Sequence, residues 1–143
     1  MRKRIRNERG AALLEAAITI PLILLISVGI FEFGRAFQTW QVLTNAAREG
    51  ARVAIISGTS DVRVREIVTD YLRAGGLPIQ TVTVKVQIQR DVPFGQSNAS
   101  RITIDYPFNF IMLNPIVRLV TPGSSTGDGP ISMGATALMR NEN

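Results

Sequence analysis

Hydrophobic side chains form one long stretch near the start of the chain. Residues 11–31 have the sequence AALLEAAITIPLILLISVGIF, in which Glu15 is the only charged side chain. A helix of this length extends about 31 Å, which is close to the thickness of a bilayer's hydrocarbon core. A buried helix of a soluble protein is one alternative, but soluble helices of this length rarely lack a polar face. The pattern therefore predicts a transmembrane helix over residues 11–33.

A cleaved secretory signal is a second alternative for this stretch. The apolar run is long for a signal peptide, it contains a carboxylate, and no A-x-A cleavage site follows it. Ser27-Val28-Gly29 is a weaker site of the small-x-small kind. We therefore prefer a helix that stays in the membrane.

The helical pattern continues beyond the apolar stretch and predicts a helical extension over residues 34–56. Glu32 and Arg35, three residues apart, can pair where this helix leaves the lipid. Small side chains then recur every four residues and allow close approach of another backbone. These helix-packing residues, the small-residue ridge, are Ala46, Ala47, Gly50, Ala51 and Ala54. Their partner is either the carboxyl-terminal sheet of the same chain, which we prefer, or another subunit.

The rest of the chain predicts one more helix and a small sheet. An apolar stripe at helical spacing predicts a helix over residues 61–74. Apolar and polar residues alternate farther along, and strands are predicted over about residues 80–90, 100–106 and 131–139. Turn-forming residues predict a hairpin-like loop over 91–99, and Pro107 is expected to end the second strand. Residues 111–121 are apolar but contain Pro115, so they fit either a short helix or a strand. A long helix covering a small antiparallel sheet is an α+β fold.

Positive charge is concentrated at the amino terminus. Residues 1–10 carry five basic side chains and one acidic one, a net charge of +4, while the whole chain carries +5. The remainder is close to neutral, so no nucleic-acid partner is predicted. By the positive-inside rule, residues 1–10 form a basic leader that stays in the cytoplasm, and residues 34–143 form an exported domain.

The residue types that are absent exclude most catalytic chemistry. The chain has no His and no Cys, so it has no Ser-His-Asp triad, no thiol nucleophile and no zinc site of the usual kind. No Gly-rich phosphate loop follows a predicted strand. We therefore predict no enzymatic activity, no cofactor, no metal site and no small-molecule substrate.

Glu15 is the side chain of the apolar stretch that suggests a function. A carboxylate near the start of a membrane helix is costly, and it marks a functional hypothesis by default. Solvation at the headgroup level is the alternative. Cleavage after Gly10 would give Ala11 a free amine, which could pair with Glu15 of a neighbouring subunit. Two charges that are costly alone in lipid become tolerable together, and the pair sets the stagger of adjacent helices.

Three segments with recognisable motifs follow one another in the first part of the chain. They are Arg-Gly-Ala-Ala-Leu-Leu-Glu at residues 9–15, Phe-Glu-Phe-Gly-Arg at 31–35 and Asn-Ala-Ala-Arg-Glu-Gly-Ala-Arg at 45–52. Together with Ala-Leu-Met-Arg-Asn-Glu at residues 137–142, they resemble the TadE-like family. Members of this family are pseudopilins, or minor pilins, of the tight-adherence (Flp-type) pilus system. The chain departs from the pattern at Ala16, where processed members usually have an aromatic residue.

The resemblance implies processing by a prepilin peptidase between Gly10 and Ala11, followed by a role in pilus assembly, surface adhesion and biofilm formation. It implies the membrane, the peptidase, other pilins and pilus-assembly proteins as partners. The expected location is the inner (cytoplasmic) membrane, in a single pass, or a surface pilus. The alternative function is that of an uncleaved, signal-anchored membrane protein whose exported domain binds a ligand or an envelope partner.

Overall fold

The computed structural model describes residues 8–79, 84–120 and 129–141 of the chain. In chain order these residues form helix α1 (Glu8–Ala54), helix α2 (Asp61–Ala74), strands β1 (Lys85–Phe94) and β2 (Ser97–Phe108), helix α3 (Leu113–Val120) and strand β3 (Ile131–Arg140). A long apolar helix followed by a small antiparallel sheet confirms the predicted α+β class. Most of the predicted leader and the start of the first predicted strand lie outside the described residues.

The described strands form one antiparallel sheet with β2 in its centre. Ile102 of β2 pairs with Ile88 of β1 on one side and with Ala137 of β3 on the other. From Ile102 to Phe108, every second side chain of β2 is buried, and those between are half-buried. This alternation gives the sheet an apolar face, and α1 packs against the sheet.

The core of the protein lies between α1, α2 and the sheet. Leu43 and Ala47 of α1 are fully buried, as are Val68 of α2 and Ile102 of β2. A Cβ atom at Gly50 would lie 2.6 Å from Cγ2 of Val68 and 3.5 Å from Cγ2 of Ile102. Glycine at this position therefore lets the backbone of α1 approach both neighbouring elements.

Arg90 of β1 binds the carboxyl-terminal end of α1. Its Nη1 donates a hydrogen bond to the carbonyl oxygen of Ala54 (2.9 Å), the last residue of the helix. Its Nη2 donates to the carbonyl oxygen of Thr59 (2.7 Å), and its Nε donates to Oδ1 of Asp61 (2.7 Å). The last carbonyl groups of a helix have no partner within it, so the guanidinium satisfies one of them and joins α1 to the start of α2.

The predicted hairpin lies within residues 91–99, but its loop is shorter than predicted, because β1 and β2 both continue into this range. The turn between them consists of Gly95 and Gln96 alone. Gly95 has a φ of 62°, as a two-residue hairpin turn with glycine in its first position requires. A β-bulge at Asp91, where φ is 55°, shifts the register of the two strands, and Pro93 and Asn98 beyond it are paired with each other.

Pro107 does not end the second strand as predicted. β2 extends to Phe108, and Pro107 pairs with Ser132 of β3. The last described pair between β2 and β1 is at Asp105, so Pro107 lies near the strand end, where a missing N–H disturbs the sheet least. β2 is consequently longer at both ends than the predicted 100–106.

Residues 111–121, whose pattern fits a helix or a strand, contain helix α3. Pro115 is the third residue of this helix, where a backbone N–H has no partner within the helix. The first N–H of α3 that bonds to a carbonyl is that of Ile116, which donates to Met112 at 3.4 Å. Proline in the first turn is therefore compatible with the helix.

We expect Gly50→Val to lower the free energy of unfolding by about 1–3 kcal/mol, because the added side chain overpacks the contact with Val68 and Ile102. Urea unfolding of the detergent-solubilised chain, followed by circular dichroism, measures the change. Gly34→Val is the matched control, since a Cβ at Gly34 has no atom within 4 Å. An equal loss in both variants would contradict the close approach at Gly50 and leave helix propensity as the cause.

Candidate functional site

The amino-terminal half of α1 presents a continuous apolar surface. Its leucine and isoleucine side chains from Leu13 to Ile30 are all exposed, with exposed fractions between 47% at Leu25 and 72% at Leu13. The mean hydropathy of its 18-residue window is 2.3. Apolar surface of this extent needs lipid or another protein to cover it. Within the described part of the chain, α1 is the helix long and apolar enough to cross a membrane, which suggests a single-pass membrane protein.

The residues predicted for processing and for the assembly ion pair lie together at the start of α1. Gly10, Ala11 and Glu15 are all helical and exposed. Ala11 and Glu15 are four residues apart, so they share a helix face and lie about 6 Å apart along the axis. Within the described residues Glu15 forms no ion pair, and its carboxylate is open to an external partner.

The small-residue ridge lies in the core of the protein. Gly50, in the middle of the set, faces Val68 of α2 and Ile102 of β2. All residues of the ridge are buried, namely Ala46, Ala47, Gly50, Ala51 and Ala54. The partner that the structure gives to this ridge is therefore the same chain, and it includes α2 as well as the sheet.

A polar site forms around Glu32, where the apolar stretch of α1 ends. The Glu32 side chain is fully buried. Its Oε1 accepts hydrogen bonds from the backbone N–H groups of Ile111 (2.9 Å) and Met112 (2.7 Å). Its Oε2 accepts a hydrogen bond from Nη1 of Arg35 at 3.0 Å. A buried carboxylate is tolerated when such donors surround it, so Glu32 attaches the residues ahead of α3 to α1.

The sequence predicts only one part of the Glu32 site. The spacing of Glu32 and Arg35 predicts their ion pair, which the structure contains. The bonds to Ile111 and Met112 are missed, because these residues are 79 and 80 positions away and donate through their backbone. A sequence does not show which backbone N–H groups donate to a side chain, because nearly every residue has one. The available signal is the acidic residue itself, at the edge of a predicted membrane helix.

Aromatic rings pack beside the buried carboxylate. The rings of Phe108 and Phe110 meet edge to face at 5.2 Å, and Phe110 meets Phe33 at 6.5 Å. The guanidinium of Arg35 lies 5.1 Å from the ring centroid of Phe108, a cation–π contact. Burial raises the pKa of the nearby Tyr106 above 10.0, and the charge of Arg35 opposes this shift. At the Glu32 site, a buried carboxylate and an aromatic cluster therefore join α1 to the end of β2.

An exposed ion pair with the same spacing lies farther along α1. Nη2 of Arg52 lies 2.6 Å from Oε1 of Glu49. The hydrogen bond from Arg52 lowers the pKa of the Glu49 carboxyl, and the same bond raises the pKa of Arg52. Both groups are accessible to water, so the pair adds little to stability. It provides a comparison for the buried pair at Glu32.

The described residues contain no group of three or more His, Cys, Asp or Glu side chains that could hold a metal ion. The two carboxylates of α2 that share a helix face are each paired with a nearby arginine. Glu66 bonds to Arg63 at 3.1 Å, and Asp70 bonds to Arg73 at 2.7 Å. These acids therefore form part of a charged, exposed helix surface.

Comparison with known families finds a match to the amino-terminal segment. Residues 10–52 match the model of the family described as TadE-like protein. The match begins at Gly10, includes Glu15 and Glu32, and ends at Arg52, so it confirms the resemblance inferred from the sequence motifs. Neither the search of curated proteins nor the search of solved structures finds a significant match to the chain.

We expect Glu32→Ala to lower the free energy of unfolding by about 1.5–3 kcal/mol, because two backbone N–H groups and Arg35 lose a charged acceptor. Hydrogen exchange at Ile111 and Met112 should become faster. Glu49→Ala is the matched control, since it removes a partly exposed glutamate with the same spacing to an arginine, and it should change stability by less than about 0.5 kcal/mol. Equal losses of unfolding free energy in the two variants would show that the Glu32 bonds stabilise the fold no more than the Glu49 ion pair does.

Proposed function

We propose that this chain, whose residues 10–52 match the TadE-like family, is a pseudopilin that acts in assembly of a tight-adherence (Flp-type) pilus, and thereby in surface adhesion and biofilm formation. The family match by itself suggests a role related to that pilus. One observation carries the proposal further. The matched segment presents the carboxylate of Glu15, without an ion pair in the described residues, on an exposed apolar helix. Such a charge is costly in lipid until a partner neutralises it.

The first proposed step is cleavage by a prepilin peptidase between Gly10 and Ala11. Hydrolysis adds water across this peptide bond, so the released leader ends in the carboxylate of Gly10 and the remaining chain begins with the amine of Ala11. Both residues are exposed in the first turn of α1, where helical hydrogen bonding is incomplete. Cleavage also removes the five basic side chains that favour a cytoplasmic amino terminus.

The second proposed step is packing of α1 helices from different subunits. The amine of Ala11 pairs with Glu15 of a neighbour, and the pair sets the axial stagger of the two helices. The small-residue ridge takes no part in this contact, because the chain's own α2 and β2 occupy it. Subunits therefore meet through the exposed apolar half of α1. The folded domain lies across the inner membrane from the leader and meets other pilins or pilus-assembly proteins there.

The processing step predicts the mass of the mature protein. Chain recovered from membranes of a cell with the matching peptidase should begin at Ala11. Gly10→Val should leave an intact Met1 terminus, because a branched side chain at the cleaved bond hinders the peptidase. Gly29→Val is the control within the apolar stretch and should be processed normally. An intact Met1 terminus in the unchanged chain, with active peptidase present, would contradict processing and favour an uncleaved anchor whose domain binds a ligand or an envelope partner.

The assembly step predicts the behaviour of Glu15→Ala. This variant should remain in the membrane, because removal of the carboxylate makes the apolar stretch easier to insert. It should lose pilus assembly, measured by the amount of pili sheared from cells and by surface attachment. Glu49→Ala is the control, since Glu49 is an acidic residue of α1 outside the apolar stretch. Normal assembly by Glu15→Ala would exclude the ion pair, whereas loss of membrane insertion would show that Glu15 acts in topology.

A further inference from the structure

The segment ahead of α3 is attached to α1 at the level where the apolar stretch ends. Glu32 accepts hydrogen bonds from the backbone N–H groups of Ile111 and Met112. Counted along the helix from Ala11, Glu32 lies at about 31 Å, which equals the thickness of the hydrocarbon core. If α1 spans a bilayer, the segment of residues 110–112 is held at the membrane surface.

This segment carries apolar side chains that the folded domain leaves uncovered. Ile111 is 60% exposed and Met112 is 44% exposed. Phe33, which contacts Phe110, is 66% exposed on the adjoining part of α1. The exposed apolar surface of the segment is thus continuous with that of the membrane helix. The Glu32 carboxylate to which the segment bonds is buried, is paired with Arg35 and accepts two backbone hydrogen bonds, so it does not oppose contact with lipid.

Helix α3 follows this segment in the chain. Its sequence, LNPIVRLV, is strongly amphipathic in helical conformation. Asn114 and Arg118, four residues apart, are its polar positions. A short amphipathic helix with a cationic polar position is typical of segments that lie in the interface between headgroups and acyl chains.

We propose that residues 110–120 form an interfacial segment that lies on the bilayer, on the side where the folded domain emerges. Ile111 and Met112 insert into the boundary between headgroups and acyl chains, and Glu32 holds the segment at that depth. The occupant of this surface is lipid, because the bonds to Glu32 place it where α1 leaves the bilayer. The inference rests on the membrane insertion of α1 that the proposed function includes.

The chain contains no cysteine, so single-cysteine variants allow specific labelling. The full chain is reconstituted in phosphatidylcholine–phosphatidylglycerol vesicles that carry a nitroxide quencher either near the headgroup or deep in the acyl chain. Ile111→Cys receives an environment-sensitive fluorophore; its exposed side chain does not form the bonds to Glu32. Gln96→Cys is the matched exposed control in the β1–β2 turn, which lies about 40 Å from Phe108 at the far end of β2. Leu25→Cys reports on insertion of α1 itself.

We expect the label at Ile111 to lose fluorescence to the shallow quencher, the label at Leu25 to lose it to the deep quencher, and the label at Gln96 to lose none. Quenching at Leu25 without quenching at Ile111 would overturn the interfacial segment while leaving membrane insertion intact; its surface would then face water or another protein. Absence of quenching at Leu25 would overturn both the segment and the proposed membrane placement. Equal quenching at Ile111 and Gln96 would overturn specific attachment of the segment.

Discussion

The backbone of α1 approaches α2 and β2 closely at Gly50, and the arrangement of the folded domain depends on that approach. Val68 and Ile102 fill the space that a side chain at position 50 would need. A larger residue there would push both elements away from α1 and open voids in the core, and native packing tolerates few such voids. A domain of this size buries enough apolar surface only if α1 supplies one of its walls. The same helix therefore serves two environments: its first half is apolar on all sides, and its second half is apolar mainly along the small-residue ridge.

Charged side chains form contacts at both ends of the part of α1 that belongs to the folded domain. At one end Glu32 accepts hydrogen bonds from the backbone ahead of α3, and at the other end Arg90 donates to the carbonyl oxygen of Ala54. About 33 Å of helix separates the two contacts. In each case a charged side chain bonds to backbone groups at the end of α1 or just ahead of α3. Backbone groups at these positions have no hydrogen-bond partner within the helix. Apolar packing brings the elements together, and these two contacts determine where along α1 the domain begins and ends.

Features of the fold that depend on local patterns are predictable from the sequence. The helical stripe predicts 61–74, the range that α2 occupies, and the spacing of Glu32 and Arg35 predicts their ion pair. The amino-terminal motif likewise points to the family that residues 10–52 match. Features that depend on distant partners are not predictable in this way. The strand content of 91–99 depends on pairing across the hairpin, and the bonds from Glu32 to the segment ahead of α3 join backbone groups whose chemistry is the same in every residue except proline.

The continuity of α1 has a geometric consequence for neighbouring subunits. The helix extends from Glu8 to Ala54 with Pro21 inside it, so a single helix joins its two halves. Glu32 lies seventeen positions after Glu15, which in regular helix geometry places their side chains about 100° apart around the axis. The side of α1 that presents Glu15 to a partner therefore determines the orientation of the folded domain relative to that partner. Insertion of one residue between them would turn the domain by a further 100° or so while leaving each half of the protein unchanged.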